Sequence, residues 1–302
     1  MTEPNSQPDS RADRAAQLWV TVMPGVFVLL WSTGFIGAKF GLPYAEPFTF
    51  LLWRFVILTL LLSSVGLLMS APWPSLKEAG HTALIGLLVH GAYLGGVFAA
   101  ISFGIPAGVA ALIVGTQPIL TALGAGPLLG EKVTARQWLG LLLGLGGVGL
   151  VCARKLNLES ADLQGIAACL IALVGITLGT LYQKRHGGAM DLRTGSAIQF
   201  AASAILMAVI ASMTETMEVQ WTGEFIFALV WLVLVLSVGA ISLLFILIKR
   251  GAASKVASLF YLVPPVTAFV AFFLFDETLG WLAIAGMCVA VVGVALVVGK
   301  QK

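Results

Sequence analysis

VAALIVGTQPILTALGAGPLLGE at residues 109–131 and VASLFYLVPPVTAFVAFFLFDE at residues 256–277 are two versions of one segment. Val109-Ala110-Ala111-Leu112 recurs as Val256-Ala257-Ser258-Leu259, Pro118 as Pro265, and Gly130-Glu131 as Asp276-Glu277. Further on, Leu139-Gly140 pairs with Ala285-Gly286 and Gly147-Val148 with Gly293-Val294. The offset is 147 residues before the acidic pair and 146 after it, which is one inserted residue. A register held through proline, glutamate and two glycines exceeds the chance likeness of apolar helices.

Working outward, both stretches sit in a chain that is 59% apolar and 10% charged, with mean hydropathy +1.00. Soluble domains carry about 25% charged residues, and 302 residues cannot bury so much apolar surface in water. A bilayer removes the conflict. Runs such as Leu139 to Val151 do not alternate, which excludes a membrane β-barrel and leaves helices, since lipid offers the backbone no hydrogen-bond partner. At about 20 apolar residues per crossing, the chain divides into ten spans: 19–38, 47–69, 80–102, 105–129, 135–153, 163–183, 194–213, 224–248, 253–275 and 279–299. Phe103-Gly104-Ile105-Pro106 reads as a tight turn between the third and fourth. The polar Met1–Leu18 reads as a disordered tail, and the apolar run behind it has no cleavage region, so it is a span and not a signal peptide.

The fold expected is thus an all-α membrane protein of ten transmembrane helices, with five-helix units at 19–153 and 163–299. Five is odd, so the second unit enters from the opposite face, giving an inverted repeat, a design common among secondary transporters. With a cytoplasmic N-terminus, 13 Lys and Arg residues fall inside and three outside (Lys39, Arg154, Lys155), with Arg54 within a span. That bias places both termini in the cytoplasm.

Composition also excludes other classes. The formal charge is +3 with no basic run or stripe, so nucleic acid is not a partner. Cys152, Cys169 and Cys288 lie in apolar segments and do not form a disulfide framework. Gly144-Leu145-Gly146-Gly147-Val148-Gly149 fits the dinucleotide pattern but follows no strand and opens no helix. Gly140 with Gly144, and Gly126 with Gly130, read instead as small-residue faces for close helix packing. Such faces would also serve a homodimer, so monomer and homodimer both stand.

Candidate solute contacts follow from polar and aromatic groups at mid-span. Arg54, about 10 Å into the second span at 1.5 Å per residue, must face protein or a water-filled cavity. It reads either as an anchor for a substrate carboxylate or as a structural cation, with Glu46 as a possible partner. His90 is central in the third span and is the candidate for proton coupling, with Tyr93 three residues on along the same face. Trp31, Ser32 and Thr33 lie mid-span in the first helix, Tyr182 and Gln183 end the sixth, and Gln199 lies in the seventh. Thr116 and Gln117 precede Pro118, and Tyr261 precedes Pro264 and Pro265 at the matching depth. Proline frees helix carbonyls, and paired helix breaks point to a central site. Trp31, Thr33, Arg54, His90, Tyr93, Gln117 and Tyr261 are therefore the expected substrate contacts. Glu131, Asp276 and Glu277 read as solvated helix caps, and no carboxylate lies deep in a span.

The chain resembles the EamA-type members of the drug/metabolite transporter superfamily. The likeness rests on Trp31-Ser32-Thr33-Gly34-Phe35, Leu52-Trp53-Arg54-Phe55, and Gly108 to Leu112 leading through Gln117-Pro118 to Gly130-Glu131. It covers nearly everything beyond residue 18. It implies a multi-pass protein of the bacterial inner (plasma) membrane that exports amino acids, other metabolites or toxic compounds, with a small-molecule substrate, membrane lipid around it and no cofactor. Multidrug or organic-cation efflux is the alternative. A membrane-embedded lipid-modifying enzyme fits less well, since His81, His90 and His186 lie on three different segments and no metal-binding motif is present. A channel fits no better, for want of a selectivity filter.

Overall fold

The computed structural model describes residues 11–105, 110, 113–152, 163–188, 190–275 and 280–299. The regular elements of the described residues are all helices, with no strand and only an isolated bridge between Ala45 and Val219. The first unit comprises α1 (Arg11–Gly41), α2 (Pro47–Leu68), α3 (Leu76–Gly86), a π-helical segment (Leu87–Leu94), α4 (Gly95–Ser102), α5 (Gln117–Leu129) and α6 (Ala135–Cys152). The second comprises α7 (Leu163–His186), α8 (Leu192–Thr214), α9 (Gly223–Trp231), a second π segment (Leu232–Ala240), α10 (Ile241–Arg250), α11 (Ala253–Ser258), a 3-10 turn (Leu259–Leu262), α12 (Val263–Phe275) and α13 (Trp281–Val298).

Six helices among the described residues are long and apolar enough to cross a membrane: Pro47–Leu68, Leu76–Ser102, Leu163–His186, Leu192–Thr214, Gly223–Arg250 and Trp281–Val298. Val22–Gly34 and Ala135–Val151 are shorter apolar helices. Residues 11–18, expected in a disordered tail, form the first turns of α1. Ala15-Ala16-Gln17-Leu18 are good helix formers, and they extend a helix whose nucleation is already secured downstream. The turn after α4 forms at Phe103-Gly104, with Gly104 at φ 81°, where a side chain would be strained. Pro106, Gly108, Val109 and the acidic pair Asp276-Glu277 lie outside the described residues.

The helices pair in a pattern that repeats itself. α2 packs on α8, and α6 on α13. The first π segment packs on α7 and the second on α1; α5 lies on α7 and α12 on α1. The α6–α13 pair is a glycine seam. A Cβ at Gly147 would lie 2.5 Å from the Ala290 nitrogen, and one at Gly293 would lie 2.5 Å from the Gly144 nitrogen. The Gly140–Gly144 face, read as a possible dimer surface, is thus spent on packing within the chain. Gly130 packs on nothing: it is the left-handed C-cap of α5, at φ 69°.

The α2–α8 pair is pinned at one end by carboxylates. Pro47 opens α2 without an N–H, leaving the next two donors to find a partner. Glu215 accepts from Phe48 N (2.7 Å), Thr49 N (2.6 Å) and Thr49 Oγ1 (2.7 Å). Glu46 accepts from Thr216 N at 2.7 Å and Oγ1 at 2.6 Å, bonds that hold its carboxyl below the usual range. Glu46 is therefore engaged by Thr216 and not by Arg54, which lies two turns further along α2 and turns to the second π segment. At the opposite end Ser75 and Glu78 form a capping box for α3, and Asp191 caps α8.

Candidate functional site

Both units interrupt a helix at matching positions. In the first, the chain turns at Gly115-Thr116, where Thr116 Oγ1 donates to Ile113 O at 2.7 Å, and restarts as α5 with Pro118 in its first turn. In the second, α11 tightens into the 3-10 turn and restarts as α12, with Pro264 and Pro265 in its first turn. Proline suits a first turn, where the missing N–H has no helical partner. At the 147-residue offset, Gln117 corresponds to Pro264.

Both residues face one cavity of about 580 Å³, a figure that includes space open to the outside. α1 contributes Trp31; the third-span rod contributes Tyr93, Val97 and Ile101; α7 contributes Ile176. The first break contributes Val114, Gly115 and Gln117, with Ala110 before it, and the second contributes Phe260, Val263 and Pro264. The Trp31 and Tyr93 rings lie nearly parallel, centroids 6.4 Å apart, and Phe260 stands edge-on to Trp31 at 5.1 Å. Ser32 and Thr267 tie the two walls together: Ser32 Oγ donates to Val28 O (2.7 Å) and Val263 O (3.3 Å), and Thr267 Oγ1 to Ser32 O (3.4 Å). No Lys, Arg, His, Asp or Glu is among the described lining residues.

Of the expected contacts, Trp31, Tyr93 and Gln117 therefore meet in the cavity. Thr33, Arg54, His90 and Tyr261 lie outside its lining. Thr33 Oγ1 donates to Leu30 O at 2.6 Å and accepts from Trp231 Nε1 at 3.1 Å. Arg54 is 1% exposed and gives Nε–H (3.0 Å) and Nη2–H (2.7 Å) to Ser237 Oγ in the second π segment. His90 stacks on Phe200 at 4.4 Å, with Nε2 3.3 Å from Gln199 Oε1 and Nδ1 without a partner among the described residues. Gln199 continues the contact, its Nε2 donating to Gln183 Oε1 at 3.4 Å. Tyr261 packs on Gly144, and its hydroxyl has no partner among the described residues. His90 and Tyr93 do not share a face, because the π segment between Leu87 and Leu94 bonds i to i+5 and takes more residues per turn than an α-helix. Three residues then no longer return the side chain to the same side. Phe260 was not anticipated: it reads as one more apolar residue beside Tyr261.

The cavity runs toward Ile101 in the last turn of α4. At the other end of the bundle, polar bonds tie helices together. Lys184 Nζ donates to Ile248 O (2.9 Å) and Gly251 O (2.6 Å). Glu131, expected as a solvated cap of its own helix, instead takes the Ala253 N–H of α11, both carboxylate oxygens at 3.0 Å. His81 Nδ1 lies 2.6 Å from Tyr182 OH, and the His81 and His186 rings stack at 4.7 Å. Two histidines far apart in sequence therefore meet, but the described residues hold no group of three metal-ligating side chains.

The sequence profile of the EamA-like transporter family matches residues 21–153 and again residues 163–299. The uncharacterized transporter YvbV of Bacillus subtilis is 29% identical over 277 residues, 91% of this chain and 90% of its own. The uncharacterized inner membrane transporter YedA of Escherichia coli K12 is 29% identical, with 89% and 88% covered. A protein from the same strain named "probable amino-acid metabolite efflux pump" is 25% identical, with 90% and 92% covered. A protein crystal structure superposes with a TM-score of 0.76 at 21% identity, over 95% of this chain and 98% of that one, which is likeness of fold. Two matched repeats, relatives aligned over most of their length and apolar helices long enough to span a bilayer make this chain a membrane transporter that belongs to the EamA-like family.

Proposed function

We propose that the protein is a secondary carrier of the inner membrane that exports a small organic solute by alternating access of two inverted five-helix halves, ten spans in all. The observation that carries this reading is the pair of helix breaks, one from each half, meeting at one cavity through Gln117 and Pro264. The repeated pairing pattern supports the inverted repeat. Each half has a π segment in its third rod, and each π segment packs on the first helix of the opposite half. A pseudo-twofold relation of this kind lets two arrangements of similar free energy open to opposite sides.

Positive-inside bias places Lys184, Glu131 and His81 on the cytoplasmic side. In this arrangement the cytoplasmic end is the sealed one and the cavity faces outward. Export is favoured by the relative named as an efflux pump. Trp31, Tyr93, Gln117 and Phe260 are the proposed solute contacts; Arg54 serves as a cross-brace to Ser237. His90 is the proposed coupling group, because it is a buried ring with one nitrogen that has no partner among the described residues. Amino acids and small organic cations are the two solute classes to separate, the second favoured by a lining of rings without charge.

The test is uptake into energised inside-out vesicles across labelled amino acids and organic cations. Saturable uptake that Trp31→Ala lowers by tenfold or more is expected. No uptake of any solute by vesicles with abundant folded protein would refute the carrier reading. Uptake that survives collapse of the proton gradient, in wild type and in His90→Asn alike, would remove His90 from it.

A further inference from the structure

We propose that Gln117 selects the solute: its carboxamide oxygen accepts from a hydrogen-bond donor borne on a flat apolar body, and the cavity turns away a free carboxylate. The class indicated is arylalkyl amines and carboxamides, as against the corresponding amino acids. The inference rests on the carrier reading in one respect only, that this cavity is the solute site.

Gln117 is 1% exposed and lines the cavity at the first residue of α5. Its Nε2 donates to Thr121 Oγ1 at 3.1 Å, one helical turn along the same face. That bond fixes the amide and leaves Oε1 with no partner among the described residues. Buried acceptors are nearly always satisfied, so an acceptor left unpaired on a residue that lines the cavity marks where a ligand donor belongs. Around it stand the parallel Trp31 and Tyr93 rings and the edge-on Phe260, which suit a flat body.

Charge sharpens the choice. The described lining has no cationic side chain. Arg54, the buried cation of the second span, is committed to Ser237 and lies outside the lining. A carboxylate entering here would shed its water without a counter-charge and meet an acceptor with an acceptor. An ammonium or amide N–H would pair with Oε1, and an ammonium would also be drawn to the ring faces.

The experiment is calorimetry on the purified full chain in detergent, with tryptamine, tryptophan and benzothiophene (a fused bicycle without a donor) as probes. Tryptamine is expected to bind at least tenfold more tightly than tryptophan. Gln117→Leu should weaken tryptamine by about tenfold to a hundredfold and leave benzothiophene unchanged, which reports an intact cavity. Thr121→Val frees the amide to turn its NH₂ inward and should narrow the gap between tryptamine and tryptophan. Tryptophan binding as tightly as tryptamine, Gln117→Leu binding tryptamine like wild type, benzothiophene lost along with it, or no tryptamine binding at millimolar concentration would each overturn the proposal. The carrier reading is judged separately by flux. Vesicles that move nothing while the calorimetry holds would end that reading and leave this one standing.

Discussion

Removing the hydroxyl of Ser237 should destabilise the protein more than removing the arginine it serves. Arg54 is buried, and its guanidinium makes two hydrogen bonds to Ser237 Oγ, at 3.0 and 2.7 Å, with no carboxylate partner among the described residues. A hydrogen bond to a charged group contributes about 1.5–3 kcal/mol, and a buried charge stripped of its partner costs about 3–5 kcal/mol. Ser237→Ala therefore costs about 3 kcal/mol, roughly two decades in the unfolding equilibrium. Arg54→Met removes charge and need together, and such replacements are neutral or stabilising by about 1–4 kcal/mol. In the Arg54→Met background Ser237→Ala should then cost less than about 1 kcal/mol. The assay is reversible unfolding in mixed micelles as the SDS fraction rises, followed by circular dichroism and arranged as a double-mutant cycle. A Ser237→Ala protein that unfolds at the wild-type SDS fraction, or a cycle with no coupling, would refute the assignment of Ser237 as the arginine's acceptor.

Three further outcomes are expected. Lys184→Met and Glu131→Gln each weaken the closed end, so maleimide labelling of Ser254→Cys in an otherwise cysteine-free protein should rise about fivefold, the effect of one net hydrogen bond; unchanged labelling would mean these bonds do not hold that end shut. Gly147→Ala should cost about 1–3 kcal/mol, because its Cβ would lie 2.5 Å from the Ala290 backbone nitrogen, while Gly126→Ala, with its nearest contact at 3.7 Å, should cost nothing in the same SDS titration. Asp191 is held down to about 2 by the hydrogen bond from Arg193, so its stabilising effect is complete above the ordinary value of 3.8 and fades as pH falls toward 2. Asp191→Asn should thus be less stable than wild type near neutrality, with the two unfolding curves drawing together below about pH 4 and meeting near pH 2; a gap that persists there would assign the effect to the cap alone.

Much of this was legible in the sequence because the bilayer leaves few choices. The lengths of apolar runs mark the helices, and the Pro118 and Pro264-Pro265 positions mark both breaks. Trp31, Tyr93 and Gln117, read as polar or aromatic groups at mid-span, line the cavity, whereas Thr33, Arg54, His90 and Tyr261, chosen on the same grounds, do not. What failed were inferences that need the turn angle or the neighbour. His90 and Tyr93 share a face only at 3.6 residues per turn, and nothing in LLVHGAYL announces a π segment. Glu46 was matched to Arg54 by proximity along the chain, but the donor it takes, Thr216, is 170 residues away. Glu131 caps a helix of the opposite half for the same reason, and Phe260 joins the cavity through a 3-10 turn whose tighter winding the sequence does not reveal.

The glycine seam has a consequence for the membrane around it. Where a single Cβ would strike backbone at 2.5 Å, no acyl chain or detergent tail can slip between α6 and α13. Lipid therefore meets these two helices, one from each half, as a single column. When solubilisation loosens side-chain contacts elsewhere, that column is the part with least to lose, and it should be the last element to come apart.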